Sequence, residues 1–281
     1  MPTDRQRYGQ LNCLVATPDG PEQEPPLLLI HGLGGGIWGW EPFQSYFAER
    51  GYGSYALELP GHGQDTDAVT LERMGTYSVE TYALWVAAAM AEIGRRCVVV
   101  GHSMGGLVAQ KLAESHSQLG YVFLASAPPW HMFRRAYRSM WRQLLRHPWK
   151  EVVWPLCGGT VVLDSSLQDS LVNHRLTPEM RADIARRDVP DSGRASMQMA
   201  AGLVSVDVHR VTSPCLVMAG SDDRLIPASE QRRLAEFYSC PLRLYDCGHM
   251  LMIENGYEAV AEGILSWVRQ LPASADNASA R

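Results

Sequence analysis

The 281-residue sequence predicts an α/β fold: a mostly parallel central sheet flanked by helices, with a helical cap inserted into it. Three observations lead there. Short, continuously apolar runs alternate with longer stretches of helical period, the pattern of a sheet covered on both faces. Several of the runs end in glycine-rich turns that open directly into a helix. One block, from Pro128 to Arg210, largely loses the strand-like runs and keeps the helical ones.

In chain order, Leu11 to Ala16 reads as an antiparallel edge strand, stopped at the turn-rich Pro18-Asp19-Gly20-Pro21. Buried strands follow at Leu27-Leu28-Leu29-Ile30, Tyr55-Ala56-Leu57, Val98-Val99-Val100, Tyr121 to Leu124, Leu216-Val217-Met218 and Leu242 to Tyr245. Helices fit Trp40 to Arg50, Val79 to Gly94, Met104 to His116, Ala228 to Tyr238 and Gly256 to Leu271. Residues 1–127 and 211–281 therefore form the core, and 128–210 the cap. Within the cap, helices cover Asp164 to Asn173, Thr177 to Arg187 and Ser192 to Val206, with Thr177 as an N-cap and Pro178 at the first helical position. The tail, residues 272–281, is rich in small and polar residues and reads as disordered. There is no internal repeat.

Composition narrows the class. Hydrophobic residues at 46% and charged residues at 20% suit a globular chain and argue against wholesale disorder. A net charge of −5 gives no reason to expect nucleic acid as a partner. The polar start, Met1 to Arg7, leads into no apolar segment of a secretory signal, and no run approaches a transmembrane segment. Six scattered cysteines form no CxxC pair, so buried thiols in a reducing cytoplasm are expected rather than disulfides. No metal ligands cluster, and neither a metal nor an organic cofactor is expected.

Acyl transfer needs a nucleophile, a base, a charge that orients the base, and donors for the oxyanion. Each has a candidate just after an apolar strand, the edge where parallel sheets build sites. The nucleophile is Ser103, in Val100-Gly101-His102-Ser103-Met104-Gly105-Gly106, which reads as strand, tight turn and helix. The base is His249, in Asp246-Cys247-Gly248-His249, after the final strand. Other histidines have different settings: His31 precedes a glycine loop, His62 lies in Leu59-Pro60-Gly61-His62-Gly63, and His102 points away from the serine. The acid comes from Gly220-Ser221-Asp222-Asp223, where two neighbouring aspartates compete and only one can reach the imidazole. Oxyanion donors are the Met104 N–H, at a helix N-terminus, and the Leu33 N–H, in the loop His31-Gly32-Leu33-Gly34-Gly35-Gly36. A phosphate-cradling role for that loop fails, because neither GxxxxGK[ST] nor a strand–GxGxxG–helix unit with an acidic partner is present.

Taken together these segments resemble the α/β-hydrolase superfamily, especially its capped esterase, lipase and C–C hydrolase branches. The likeness runs from about Leu27 to Leu271 and includes His31-Gly32-x-Gly34-Gly35, Trp40, Leu59-Pro60-Gly61-His62-Gly63, Gly101-His102-Ser103-Met104-Gly105, Gly220-x-x-Asp223-x-x-x-Pro227 and Gly248-His249. The resemblance implies the acid three residues after the glycine and four before the proline, which selects Asp223 over Asp222. A serine nucleophile disfavours the dehalogenase and epoxide hydrolase branches, which need a carboxylate there. Glu58-Leu59 stands where the family commonly has Asp before the Pro-Gly-His-Gly segment, a departure that bears on a turn.

The cap carries Trp130, Met132, Met140 and Trp141, an expected lining for a hydrophobic substrate pocket. Arg134, Arg138, Arg142 and Arg146 recur every four residues in a stretch without Asp or Glu between Glu114 and Glu151. Beyond a plain solvated face, that stripe offers a dock for an acyl carrier protein or an anionic surface. The expected reaction is hydrolysis of a hydrophobic carboxylic ester through an acyl-enzyme on Ser103. Thioester cleavage, C–C bond hydrolysis, acyl transfer to another acceptor and non-catalytic ligand binding are the alternatives.

Overall fold

The computed structural model describes residues 2–63, 68–132, 158–162, 164–187 and 189–272. In chain order the strands are β1 (Thr3–Tyr8), β2 (Leu11–Ala16), β3 (Gln23–Ile30), β4 (Tyr52–Leu57), β5 (Val98–His102), β6 (Gly120–Leu124), β7 (Thr160–Val161), β8 (Asp191–Ser192), β9 (Cys215–Gly220) and β10 (Leu242–Tyr245). Eight of them form one sheet in the order β1-β2-β4-β3-β5-β6-β9-β10, while β7 and β8 make a separate two-stranded ladder. Only β1–β2 and β2–β4 pair antiparallel; every other neighbour in the large sheet is parallel. This is the fold class expected from the sequence.

The continuously apolar strands explain the layering. Leu28 and Ile30 of β3 pack with Val99 of β5 on one face, and Leu27 and Leu29 pack with Val98 and Val100 on the other. All seven side chains are fully buried. Each such burial contributes about 1.5–3 kcal/mol, so both faces must be covered. The helices are α1 (Glu41–Glu49), α2 (Ala68–Arg73), α3 (Val79–Ile93), α4 (Met104–Ala113), α5 (Pro178–Arg187), α6 (Gly193–Ala200), α7 (Ala228–Tyr238) and α8 (Tyr257–Val268). Phe43 and Phe47 of α1, with Ile264 and Leu265 of α8, cover one face. Tyr82 of α3, Leu107 and Val108 of α4, and Leu234 of α7 cover the other.

The edge of the sheet lies one strand further out than expected. Leu11–Ala16 is flanked on both sides, by β1 and by β4. The true edge, β1, reads Thr-Asp-Arg-Gln-Arg-Tyr and is exposed almost throughout. Such a strand is held by backbone pairing and carries charge against further pairing, so it has no hydrophobic pattern to detect.

Between β6 and β9 the chain leaves the large sheet. The helix expected from Asp164 is a short α-turn, Ser165–Leu167, running into a π-turn, Gln168–Val172, with the Asp164 carboxylate accepting from the N–H groups of Ser166 and Leu167. Thr177 Oγ1 accepts from Met180 N at 3.3 Å and so caps α5, as its position before Pro178 predicted. Ser192 Oγ caps α6 by accepting from Ala195 N at 3.2 Å. That helix stops at Ala200 instead of reaching Val206, and Gly202 takes the left-handed φ of +59° that turns the chain away. The helical period at Phe133 to Leu145, with the arginine stripe on it, and the tail beyond Pro272 lie outside the described residues.

Candidate active site

Ser103 follows β5 and precedes α4 with φ +52° and ψ −115°, a conformation that is costly for a non-glycine residue. Its surroundings hold it there. Ser103 N–H donates to Leu124 O at 3.0 Å, and Ser103 O accepts from Ala127 N at 3.0 Å. A Cβ at Gly101 would strike the carbonyl of Gly105, and one at Gly105 would strike the carbonyls of Ile30 and His31. Glycine on both sides of the serine is therefore a steric requirement of this strand–helix turn.

His249 follows β10, is 2% exposed, and its Nδ1–H donates to Asp223 Oδ2 at 2.7 Å. Asp223 Oδ1 accepts from the N–H groups of Leu225 and Ile226, both at 2.9 Å, so the whole carboxylate is engaged. Asp222 turns the other way, with Oδ2 at 3.1 Å from His174 Nε2 and 3.6 Å from Arg175 Nη1. Ser103 and His249 line the same cavity, of about 130 Å³, with apolar walls that include Leu33, Trp38, Val172, Met199, Leu225 and Met252.

Leu33 lies on that wall, and Met104 is the first residue of α4. Neither backbone N–H has a hydrogen-bond partner among the described residues. The loop around Leu33 is clamped: Gly32 O accepts from Gly35 N at 3.1 Å and from His31 Nδ1–H at 2.9 Å. His31 Nε2 accepts from Leu59 N at 3.0 Å, which leaves the ring neutral. Burial, followed by the charge of nearby His62, pushes the His31 pKa down to about 3. Burial and then His249 also hold His102 well below its ordinary value, and His102 Nε2–H donates to His249 O at 2.9 Å. His102 is thus a strut under the base.

Two further carboxylates were not singled out by sequence reasoning. Glu254 is 2% exposed and accepts from the N–H groups of Gly248 and Met250, on either side of His249. Asp191, 1% exposed, accepts from His62, Tyr82 and Gly34. Glu254 stands just before the last helix in no motif, and Asp191 is contributed across a gap of more than a hundred residues, so neither carried a local signal.

The cap residues expected in the pocket are placed elsewhere or lie outside the description. Trp130 is half-exposed, Met132 is buried in the core layer of α3 and α4, and neither lines the cavity. They share one 3₁₀ turn close behind β6, which keeps Met132 against the sheet's own core. Met140 and Trp141 are outside the described residues. Among the described residues of this segment, Val172, Ser196 and Met199 reach the cavity. Among the described residues no group of three or more His, Cys, Asp or Glu could hold a metal ion, and no helix is long and apolar enough to cross a membrane.

Residues 27–263 match the model of the alpha/beta hydrolase family. The chain is 27% identical over 229 residues to pimeloyl-[acyl-carrier protein] methyl ester esterase of Aeromonas hydrophila, covering 77% of this chain and 84% of that protein. It is 28% identical over 261 residues to the dihydrolipoyllysine-residue acetyltransferase component of the acetoin cleaving system of Pseudomonas putida. That match covers 89% of this chain and 65% of the relative, so the chain spans less than two thirds of its length. A solved N-acyl homoserine lactonase superposes with a TM-score of 0.70 at 19% identity, covering 97% of this chain and all of that one, and so shares the fold. The chain belongs to the alpha/beta hydrolase family.

Proposed function

We propose that the chain is a serine hydrolase cleaving carboxylic esters of small hydrophobic molecules through an acyl-enzyme on Ser103. One observation carries this reading: Ser103 and His249 line a single apolar cavity, and His249 is bonded through Nδ1 to the buried Asp223. That bond leaves Nε2 as the basic nitrogen. Nε2 takes the Ser103 proton as Oγ attacks the ester carbonyl, and Asp223 stabilises the imidazolium. The N–H groups of Leu33 and Met104 receive the oxyanion, a contribution of about 3–4 kcal/mol per donor to the barrier. The alcohol leaves with the proton from His249. Water then enters, gives a proton to Nε2 as it adds to the acyl carbonyl, and the acyl–Oγ bond breaks as Nε2 returns that proton to Ser103 Oγ, releasing the acid. We read residues 128–210 as a cap over this cavity, whose apolar wall suits an acyl chain rather than a charged group.

A fluorophosphonate probe tests the nucleophile. Wild type should be labelled at Ser103 and Ser103→Ala should not; equal labelling of the two overturns the reading. A p-nitrophenyl ester series, run beside acyl-CoA thioesters and a ring-fission diketone, tests the substrate class. A strong preference for thioester or diketone overturns the ester assignment.

A further inference from the structure

The buried carboxylate of Asp191 joins four parts of the molecule that are distant in sequence. Its Oδ2 accepts from Gly34 N at 2.9 Å, in the loop that carries Leu33, and from His62 Nε2 at 2.9 Å. Its Oδ1 accepts from Tyr82 OH on α3 at 2.9 Å and from Ser192 N. The other nitrogen of His62, Nδ1, faces the carbonyls of Leu59 and Pro60 among the described residues, each at 3.2 Å. A ring with acceptors at both nitrogens carries both protons, so His62 is a cation paired with the Asp191 anion. Burial pulls the His62 pKa down, but Asp191 and the carbonyls of Leu59 and Pro60 together outweigh it and the net direction is up. The pair is 0% and 1% exposed at its side chains, which is costly unless every oxygen is satisfied. Here every oxygen is.

We propose that Asp191 is a positioning residue of the oxyanion loop: it fixes the Leu33–Gly34 segment so that the Leu33 N–H stays aimed at the developing oxyanion. This rests on the serine hydrolase reading above. The Gly32–Gly35 and His31–Gly32 bonds close the loop on itself, and at Gly34 the tie to the cap segment comes from Asp191. Gly34 adopts φ +66° and is partly exposed, and the Gly34–Asp191 bond is the contact that ties its amide to the rest of the fold. Asp191 comes from β8, in the segment between β6 and β9. That segment therefore shapes the acyl pocket through Met199 and also sets the donor geometry through Asp191.

Asp191→Asn tests the proposal, because an amide keeps the shape but removes the anion that His62 faces and must turn an NH₂ either toward Gly34 N–H and His62 or toward Tyr82 O–H and Ser192 N–H. Loss of loop position acts on the transition state, so kcat on the best p-nitrophenyl ester should fall about 10- to 100-fold with KM within about threefold, the scale of an ångström-level misplacement. Tyr82→Phe removes a bond to the oxygen that does not hold Gly34, and kcat should stay within about threefold. Amide hydrogen exchange reads the loop without activity. The Gly34 amide in wild type should be protected, Asp191→Asn should speed exchange across residues 32–36, and Tyr82→Phe should not. An exposed rate at Gly34 in wild type overturns the proposal even if Asp191→Asn does not fold. So does an Asp191→Asn enzyme with kcat within threefold of wild type, or equal losses in Asp191→Asn and Tyr82→Phe. An inactive wild type with a protected, Asp191-dependent Gly34 amide would overturn the hydrolase reading and leave the loop contact standing.

Discussion

Glu254 brackets His249: one carboxylate oxygen accepts from Gly248 N at 2.6 Å and the other from Met250 N at 3.0 Å. The base is thus held by the peptide on each side as well as by Asp223 at its ring. A carboxylate bonded to two amides in a buried site is a charge-assisted contact, stronger than a neutral one. Replacing it by Gln puts an NH₂ against one of two N–H groups and leaves a buried donor unsatisfied, at a cost of about 1–3 kcal/mol. Glu254→Gln should lower the urea midpoint accordingly and reduce kcat on a p-nitrophenyl ester by about tenfold or more through displacement of His249. An unchanged kcat in the folded variant would show that the bracket is not needed for the base.

The neighbouring aspartates give the sharpest contrast. Asp223 is bonded to His249 Nδ1 and to two backbone amides, whereas the Asp222 side chain is 44% exposed beside His174 and Arg175. In the Ser-His-Asp template, Asp to Asn at the orienting acid costs roughly ten-thousand-fold in kcat, because the imidazole takes the wrong tautomer. Asp223→Asn should approach that loss, and Asp222→Asn should stay within a few-fold of wild type. Steady-state rates with equal amounts of folded enzyme check it; the reverse pattern reassigns the acid.

What the sequence made legible follows the range of the signal. Residues 27–30, 98–100, 121–124 and 216–218 announced themselves because burial on both faces forces apolar residues at successive positions. Ser103 did so because its turn admits only glycine two residues to either side. The pattern of β1 was invisible because nothing on it is buried. The Asp191–His62 pair was invisible because its partners are 129 residues apart and each lies in a segment with its own local reading. Asp222 and Asp223 could be separated only through the resemblance, since composition and spacing treat them alike. Trp130 and Met132 were expected in the pocket on residue type alone, and residue type does not tell a core contact from a cavity wall.

Met199 is the described residue of α6 that brings an apolar side chain to the cavity wall. Truncation to Ala lengthens the space available to an acyl chain at little cost to the sheet, since Met199 is only partly buried. In a p-nitrophenyl ester series from two to twelve carbons, Met199→Ala should move the kcat/KM optimum toward longer chains. Each additional accommodated methylene is worth about 0.8 kcal/mol, roughly fourfold in kcat/KM for the longer ester. An optimum that stays in place would locate the acyl chain on another wall.

Stability should fall on the acid side of neutrality through His31. Its folded pKa, about 3, lies below the ordinary value of 6.5 because the ring is buried and faces cationic His62. Between those values the unfolded chain binds a proton that the folded chain refuses. Stability therefore declines as pH drops through that window, by up to about 1.4 kcal/mol per pH unit for this one site. His102 acts in the same direction. His62 acts oppositely: its folded pKa is raised, so its stabilising share is present below the unfolded value and is lost as pH rises through the folded one. Maximal stability should then lie near neutrality. Urea midpoints followed by tryptophan fluorescence at pH 7, 5.5 and 4.5 should fall steadily for wild type. His31→Gln loses the fitted imidazole between Gly32 O and Leu59 N, so it should be less stable at pH 7 and show a shallower acid slope. An acid slope equal to that of wild type would remove His31 as its source.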